Sequence, residues 1–194
     1  MAMTPYSGDT SIIGKLGTTP QERGLTTQQF KDKFDEGLKN FVTWFNATHK
    51  GEIESLESKI AAVYNNANQS IPNTTLTPLA WNVAVINDDS MFSAANNTVL
   101  TCKTVGIYLI IAIVRFEQNA TGYRRVLITK NSLPAPISEV TQNAVNGFQT
   151  ILNAIGLTSL EVNDTVQVEV YQTSGEPLNV MPQYTPQFIA IKVG

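Results

Sequence analysis

The stretch from Ile107 to Phe116 is apolar at almost every position, and it constrains the fold more than any other part of the chain. Its unbroken apolar run covers eight residues, Ile107–Val114, far fewer than the ~18–20 that a membrane-spanning helix needs. A β-strand would place Tyr108, Ile110, Ala112, Val114 and Phe116 on one face and Ile107, Leu109, Ile111 and Ile113 on the other. Both faces must then be buried, one against an opposing sheet and the other against neighbouring subunits.

Other segments of the C-terminal part have β character as well. They are short, rich in Val, Ile, Thr and aromatic residues, and separated by Asn, Gly, Asp, Ser and Pro. The predicted strands are Ala80–Ile86, Thr98–Lys103, Ile107–Glu117, Tyr123–Lys130, Val166–Gln172 and Phe188–Val193. So many strands without intervening helices predict an antiparallel sandwich or barrel. The role of residues 134–155 stays open; Ser138–Leu152 reads as a helical turn or, preferably, as a loop that feeds a strand.

The N-terminal part has helical character. Thr26 and Gln29 have the spacing of a capping box, which predicts that a helix begins there. Apolar residues then recur every three or four positions, at Phe30, Phe34, Leu38, Phe41 and Phe45. This pattern is typical of an amphipathic helix with one apolar stripe.

A second apolar pattern follows, at Ile53, Leu56, Ile60, Val63 and Ala67, with the alternating steps of a heptad seam. So narrow a seam must be buried against another chain or a symmetry copy. The residues before Thr26 hold too few apolar side chains for a core, and residues 68–79 are rich in Asn, Thr, Ser and Pro. The sequence therefore predicts an extended arm (1–25), a helical, coiled-coil-like stalk (26–67), a linker (68–79) and a β head (80–194).

Composition and charge exclude several classes of function. The net charge is −3 and the pI is about 5.1, so the chain lacks the basic footprint of a nucleic-acid-binding protein. Charged residues make up only 15%, against a typical ~25%, and uncharged polar residues replace them, which favours contacts between subunits. The single cysteine, Cys102, forms no internal disulfide, and the N-terminus has no secretory-signal pattern. We expect synthesis in a cytosol and no insertion into a membrane.

The residues needed for catalysis are scarce. His49, the only histidine, lies in a predicted break between helical segments, and Cys102 reads as a small buried apolar residue. There is no phosphate-binding glycine motif and no zinc-ligand set. Asp88 and Asp89 are either calcium ligands or a polar turn, and Trp81 either packs in the core or lines a sugar site. We predict no catalytic residue, no metal and no cofactor.

Polar and aromatic residues on loops are the candidates for ligand binding, because saccharides offer hydroxyl groups and weakly apolar ring faces. The candidate loops are Asn87–Asn97, Gln118–Tyr123 and Gln172–Tyr184. Within or beside them the candidate residues are Asp88, Asp89, Asn119, Tyr123, Gln172 and Tyr184. The alternative interpretation is that these loops only cover the ends of strands.

Residues 80–194 resemble the jelly-roll superfamily of complement component q and tumour necrosis factor. The matching motifs are Gly106-Ile107-Tyr108-Leu109-Ile110, Tyr123-Arg124, Leu160-Glu161-Val162-Asn163-Asp164-Thr165-Val166, Gln172-Thr173-Ser174-Gly175 and Phe188-Ile189-Ala190-Ile191. Members of this family form compact trimers with a stalk on the N-terminal side. The resemblance implies a homotrimer in which Leu109, Ile111 and Ile113 face the axis, and in which Ile53, Leu56, Ile60 and Val63 form the seam of the stalk.

The segment from Leu25 to Asp35, Leu-Thr-Thr-Gln-Gln-Phe-Lys-Asp-Lys-Phe-Asp, is similar to attachment regions of tail, baseplate and fibre proteins of phages that infect Gram-positive bacteria. This resemblance implies a virion protein whose N-terminal region binds other virion proteins and whose head adheres to the host surface through a cell-wall saccharide. The alternative is a purely structural or decorating fibre on capsid or tail without a specific ligand. A secreted, complement-like trimer is disfavoured by the lack of a signal pattern.

Overall fold

The computed structural model describes residues 26–49, 59–133, 135–185 and 187–194. The chain divides into two compact units, Met1–Glu57 and Ser58–Gly194. The described part of the first unit contains one helix, α1 (Thr27–Thr48). The strands of the second unit are β1 (Ile60–Tyr64), β2 (Gln69–Ile71), β3 (Thr77–Pro78), β4 (Val83–Asn87), β5 (Val99–Thr101), β6 (Gly106–Phe116), β7 (Tyr123–Lys130), β8 (Ser138–Asn143), β9 (Thr150–Leu160), β10 (Thr165–Gln172), β11 (Leu178–Val180) and β12 (Phe188–Lys192).

Helix α1 begins where the capping box predicts. The Thr26 hydroxyl accepts a hydrogen bond from the Gln29 amide (3.2 Å), and the Gln29 side chain accepts one from the Thr26 amide (2.8 Å). No residue of the helix is buried, and the apolar stripe is exposed at Phe34, Leu38 and Phe41. Within the described ranges, no helix is both long enough and apolar enough to cross a bilayer.

The helical stalk predicted for residues 26–67 is wrong in its second half. Residues Ile60–Tyr64 form β1, which pairs with β12 on one side and with β4 on the other. All five residues of this run are apolar or aromatic, a pattern typical of a central strand, and the apparent heptad spacing is incidental. Of the other seam residues, Ala67 lies in the loop between β1 and β2, whereas Ile53, Leu56 and the predicted arm lie outside the described residues.

The predicted linker, residues 68–79, also belongs to the β unit. It contains β2 and β3, and Ile71 and Leu79 are buried in the core. The polar residues of this segment form the turn between the strands, where Thr74 adopts a positive φ of 55°. The head therefore begins at Ser58 and not at residue 80.

Residues 134–155, whose role the sequence left open, contribute β8 and the first half of β9. Strand β9 pairs with β6 over its whole length, from Gly106 opposite Leu160 to Phe116 opposite Thr150. Apolar side chains occur on both faces of β9, such as Leu152 inside and Ile155 outside, so the sequence shows no clear alternation.

Two antiparallel sheets pack face to face around one core. In the first sheet the strand order is β4-β1-β12-β6-β11-β2. Strands β12 and β11 pair with successive parts of one edge of β6, and β9 pairs with the opposite edge along its whole length. In the second sheet the order is β3-β10-β7-β8, and β5 pairs with β10. The core prediction for β6 is confirmed, since Tyr108, Ile110, Ala112, Val114 and Phe116 are all fully buried. This architecture is an antiparallel jelly-roll-like sandwich.

A network of hydrogen bonds closes the turn between β9 and β10. The Asp164 carboxylate accepts hydrogen bonds from the Asn131 amide group (2.7 Å) and the Glu161 backbone N–H (2.7 Å), and it pairs with Lys130 (2.7 Å). Asn163 adopts the left-handed conformation, with φ of 73°, that asparagine tolerates better than most residues. The bonds from Asn131 and Lys130 lower the pKa of Asp164 from its ordinary 3.8 to about 2.

This pKa predicts how stability depends on pH. Because the pKa is depressed in the folded chain, ionised Asp164 stabilises the fold above pH ~4, and the contribution disappears as the pH falls to ~2. Asp164→Asn should lower the free energy of unfolding by about 1–2 kcal/mol at pH 7. Urea unfolding from pH 7 to pH 2 measures this difference, with Glu161→Gln on the same turn as the control. An equal pH dependence in Asp164→Asn and the parent would contradict the prediction.

Candidate functional site

The outer face of the first sheet, which we call the apolar face, is the strongest candidate for a functional surface. Strand geometry turns Ile107, Leu109, Ile111 and Ile113 of β6 away from the core. Ile107 is exposed and the other three are half-buried in the single chain. The predicted interface residues Leu109, Ile111 and Ile113 therefore do share one surface.

Neighbouring strands extend the apolar face in both directions. Residues opposite one another in an antiparallel sheet project to the same side, so the strand register defines rows of side chains across the sheet. One row runs across five strands through Ile86, Ala62, Ile189, Ile111 and Ile155. A second runs across four strands through Ile60, Ile191, Leu109 and Leu157.

Exposure in these rows is highest on β9, whereas Ala62 of β1 is only 3% exposed. Ile155 and Leu157 of β9 keep 58% and 63% of their surface exposed. The described residues of Ser58–Gly194 include no segment that covers them. Polar residues, Asn153, Ser159 and Arg115, border the face. An apolar patch with a polar border is the usual composition of a protein–protein interface.

The other predicted interface residues divide between the two faces of β1. Ile60 lies on the apolar face, opposite Ile191. Val63 lies opposite Phe188 and is fully buried in the core, so its assignment to an interface is wrong. A strand turns successive side chains to opposite sides, whereas the predicted helix placed Ile60 and Val63 on one side.

Sequence reasoning missed the contributions of β9 and β12 to the apolar face. The sequence of β12 carried the same indication of two apolar faces as that of β6, because all four residues of Phe188–Ile191 are apolar. The signal in β9 was weaker, since Asn153 and Ser159 interrupt its outer face. Only the pairing of β9 with β6 brings Ile155 and Leu157 beside Ile111 and Leu109.

The candidate ligand residues lie at opposite ends of the sandwich. Asp88 and Asp89 lie beside Lys59, where Asp88 accepts a hydrogen bond from the Ile60 amide (3.1 Å) and Asp89 accepts one from the Thr104 hydroxyl (2.6 Å). These contacts agree with a polar turn. In residues 26–49, 59–133, 135–185 and 187–194, no group of three or more His, Cys, Asp or Glu side chains is placed to hold a metal ion.

Asn119 and Gln172 lie at the opposite end, near Tyr123. Gln172 is fully buried, donates hydrogen bonds to the carbonyls of Ile71 and Glu176, and accepts one from the Ser174 amide. It is therefore part of the framework, and its prediction as a ligand contact is wrong. Asn119 accepts a hydrogen bond from the Thr121 amide, and Tyr184, between β11 and β12, is 73% exposed.

Arg124 is a buried charge, and the sequence placed it in a family motif without predicting its burial. It faces inward opposite Gln172, and its guanidinium donates hydrogen bonds to the carbonyls of Thr121 (2.9 Å), Asn119 (3.2 Å) and Tyr123 (3.2 Å). Burial lowers the pKa of Arg124. The signal was the pair Arg124-Arg125 inside a strand, since alternation must turn one of the two toward the core. Arg124 holds the loop before β7 in place.

Replacing this guanidinium should destabilise the domain. Arg124→Met removes the guanidinium donor from the carbonyls of Thr121 and Asn119 and leaves the fully buried site without its polar partners, so we expect a loss of about 2–4 kcal/mol in the free energy of unfolding. The matched control is Arg125→Met, which breaks an ion pair with Glu139 that is about one-third exposed and should cost about 1 kcal/mol or less. Urea unfolding of both variants provides the comparison. Equal losses would show that Arg124 does not organise the loop.

The remaining candidates for chemistry have packing roles. Trp81 is buried with its ring centroid 5.5 Å from that of Phe188, so the interpretation as a core residue is confirmed. Cys102 is buried, burial raises the pKa of its thiol, and its Sγ lies 3.2 Å from the Thr104 carbonyl. The ring of His49, which follows α1, packs edge-on against Trp44 with centroids 4.8 Å apart.

The strand order defines an antiparallel jelly-roll-like domain, and its fold is similar to that of solved TNF-family and complement C1q domains. Murine APRIL at pH 5.0 matches with a TM-score of 0.54 and 13% identity, covering 71% of this chain and 100% of that one. The globular domain of zebrafish complement 1qA matches with a TM-score of 0.52 and 14% identity, covering 70% and 98%. No protein-family model matches the sequence. No curated protein matches it either. At this identity the likeness shows the fold alone.

Proposed function

We propose that this chain is a non-enzymatic structural protein of a phage virion. In this proposal it forms a homotrimeric fibre or baseplate component, its N-terminal region attaches to the virion, and its jelly-roll head adheres to the host cell surface. The single observation that carries the assembly part is the apolar face of the first sheet. The phage part rests on the resemblance of residues 25–35 to phage attachment regions.

The apolar face supports self-association through its chemistry. Rows of Ile and Leu side chains across four and five strands would be costly to leave in water, at about 25 cal/mol for each Å² of apolar surface. The arrangement of an apolar centre with Arg115 and Asn153 at its border fits a stable subunit contact. A closed, symmetric oligomer buries such a face in every copy. The number three comes from the family that the head resembles.

Helix α1 supports the role of the N-terminal region in attachment. Its apolar stripe exposes Phe34, Leu38 and Phe41, while Lys31 and Asp35 form an ion pair (2.6 Å) on the polar side. Aromatic and aliphatic residues at such spacing are the anchors by which an amphipathic helix binds a groove on another protein. Other virion proteins are the partners that this proposal assigns to the stripe.

Three kinds of experiment test the proposal: mass measurement, labelling of phage particles and binding to host cells. Mass measurement by light scattering should give three subunits, and antibodies against the chain should label intact phage particles. Fluorescently labelled protein should be retained by host cells and should compete with phage adsorption. Particle labelling without cell retention would support the alternative, a decorating fibre. A monomeric protein would contradict the assembly part, and unlabelled particles would contradict the virion part.

A further inference from the structure

Two half-buried tyrosine rings stack on the outer face of the second sheet. Tyr123 of β7 and Tyr171 of β10 are diagonal neighbours, because Tyr171 lies opposite Arg125 in the register. Their ring centroids are 5.8 Å apart and the ring planes are inclined by 28°. Both side chains are half-buried. Together the rings form a small aromatic platform that is partly accessible to solvent.

An ion pair borders this platform. Arg125 binds Glu139 of β8 with two nearly parallel hydrogen bonds, from Nε (2.7 Å) and from Nη2 (2.6 Å). The hydrogen bond with Glu139 raises the pKa of Arg125 and lowers that of Glu139, and Arg125 also interacts electrostatically with Tyr123 and Tyr171. Both partners remain about one-third exposed. A fixed set of donors and acceptors therefore lies next to the aromatic rings.

The geometry points to a saccharide-binding site composed of Tyr123, Tyr171, Arg125 and Glu139. A pyranose ring has a face of C–H groups that packs on an aromatic plane, and hydroxyl groups around its edge that both donate and accept hydrogen bonds. The stacked tyrosines provide the plane. The guanidinium and carboxylate of the ion pair provide donors and acceptors for neighbouring hydroxyls.

The position of this site fits the proposed assembly, and the inference rests on the proposed function in this respect. The apolar face belongs to the first sheet and the tyrosine platform to the second, so the sandwich core separates them. Burial of the apolar face between subunits leaves the platform accessible. A trimer then presents three copies, and a polymeric saccharide that reaches more than one copy binds more tightly than a single sugar.

A competing explanation is purely structural, because cross-strand aromatic pairs and ion pairs also stabilise sheets, by about 0.2–1 kcal/mol each. The experiment must therefore measure binding as well as stability. The variants are Tyr171→Ala and Tyr123→Ala, with Tyr171→Phe to retain the ring. The control is Gln167→Ala, on the same strand and the same outer face, about 13 Å from Tyr171.

The probes are the methyl glycosides of glucose, galactose, rhamnose and N-acetylglucosamine, together with a soluble polysaccharide extracted from the host cell wall. Saturation-transfer NMR on the full chain should detect at least one glycoside at millimolar affinity. Binding should weaken about tenfold or more in both alanine variants and persist in Tyr171→Phe and Gln167→Ala. Circular dichroism should show that all variants keep the β fold.

The outcomes separate this inference from the proposed function. If host cells retain the parent and both alanine variants equally, the tyrosine platform is not the site, although adhesion stands. If a saccharide binds at the platform but cells do not retain the protein, the site stands and adhesion fails. If no probe binds the parent, or if Gln167→Ala weakens binding as much as Tyr171→Ala, the inference is overturned.

Discussion

Ile111→Asp should convert the assembled protein into folded monomers. Ile111 lies in the middle of the apolar face, between Ile189 and Ile155 in the register. In the proposed trimer, three carboxylates would be buried around one apolar axis, and both desolvation and mutual repulsion would oppose assembly by several kcal/mol. In the single chain the side chain is half-buried and borders solvent, so we expect the fold to survive. Light scattering and circular dichroism measure the two effects.

The neighbouring residue is the matched control. Ile110 is fully buried in the core, and Ile110→Asp places a carboxylate among apolar side chains without a partner. This variant should lose its β signal, because the penalty is comparable with the ~5–15 kcal/mol that stabilises a typical domain. A trimer that persists in Ile111→Asp would refute the assignment of the face. Unfolding of both variants alike would show that Ile111 acts in the core.

The second prediction with a large expected effect is that the head folds only if it includes β1. A fragment of residues 58–194 should fold, and a fragment of residues 71–194 should not. The shorter fragment lacks β1, which lies between β12 and β4 and contributes Ala61 and Val63 to the core. Without β1, one edge of β12 is unpaired and Phe188 loses part of its burial. Each large apolar side chain that is no longer buried reduces the free energy of unfolding by about 1.5–3 kcal/mol. The longer fragment retains the whole second unit.

Circular dichroism and thermal melting of both fragments provide the test, with the full chain as reference. We expect a cooperative melt for residues 58–194 and none for residues 71–194, which should aggregate through the unpaired edge of β12. Addition of a peptide of residues 58–72 to the shorter fragment is a further control, since it supplies β1 and β2 in trans. A stable, β-rich fragment of residues 71–194 would show that β1 is dispensable.

Local patterns in the sequence were sufficient to predict several elements of the fold. The capping box at Thr26 and Gln29 predicted the start of α1, because both partners lie within four residues of each other. The two apolar faces of β6 were predicted because almost every residue from Ile107 to Phe116 is apolar, so that both faces of a strand there must be apolar. The fold class followed from the family motifs at Gly106–Ile110 and Leu160–Val166, and the structural likenesses confirm the jelly-roll type of the head.

The candidate ligand residues were harder to predict, because exposure depends on partners that are remote in the chain. Gln172 is buried by contacts with Ile71, about a hundred positions away. Tyr123 was identified, whereas Tyr171 became significant only when β7 and β10 were found side by side. Asp88 and Asp89 were grouped with Asn119, although the fold places them at the opposite end of the sandwich.

The sequence by itself determined the amphipathic helix, half of the strands and the apolar character of both faces of β6, because these properties depend on side chains a few positions apart. The tertiary structure alone decided that Ile60–Tyr64 is a strand, since its hydrogen-bond partners are at Phe188–Ile191, more than a hundred residues away. It also decided which isoleucines join Ile111 on the apolar face. The physical reason is that strand pairing is a non-local interaction, and periodicity along the chain carries no information about register between distant strands.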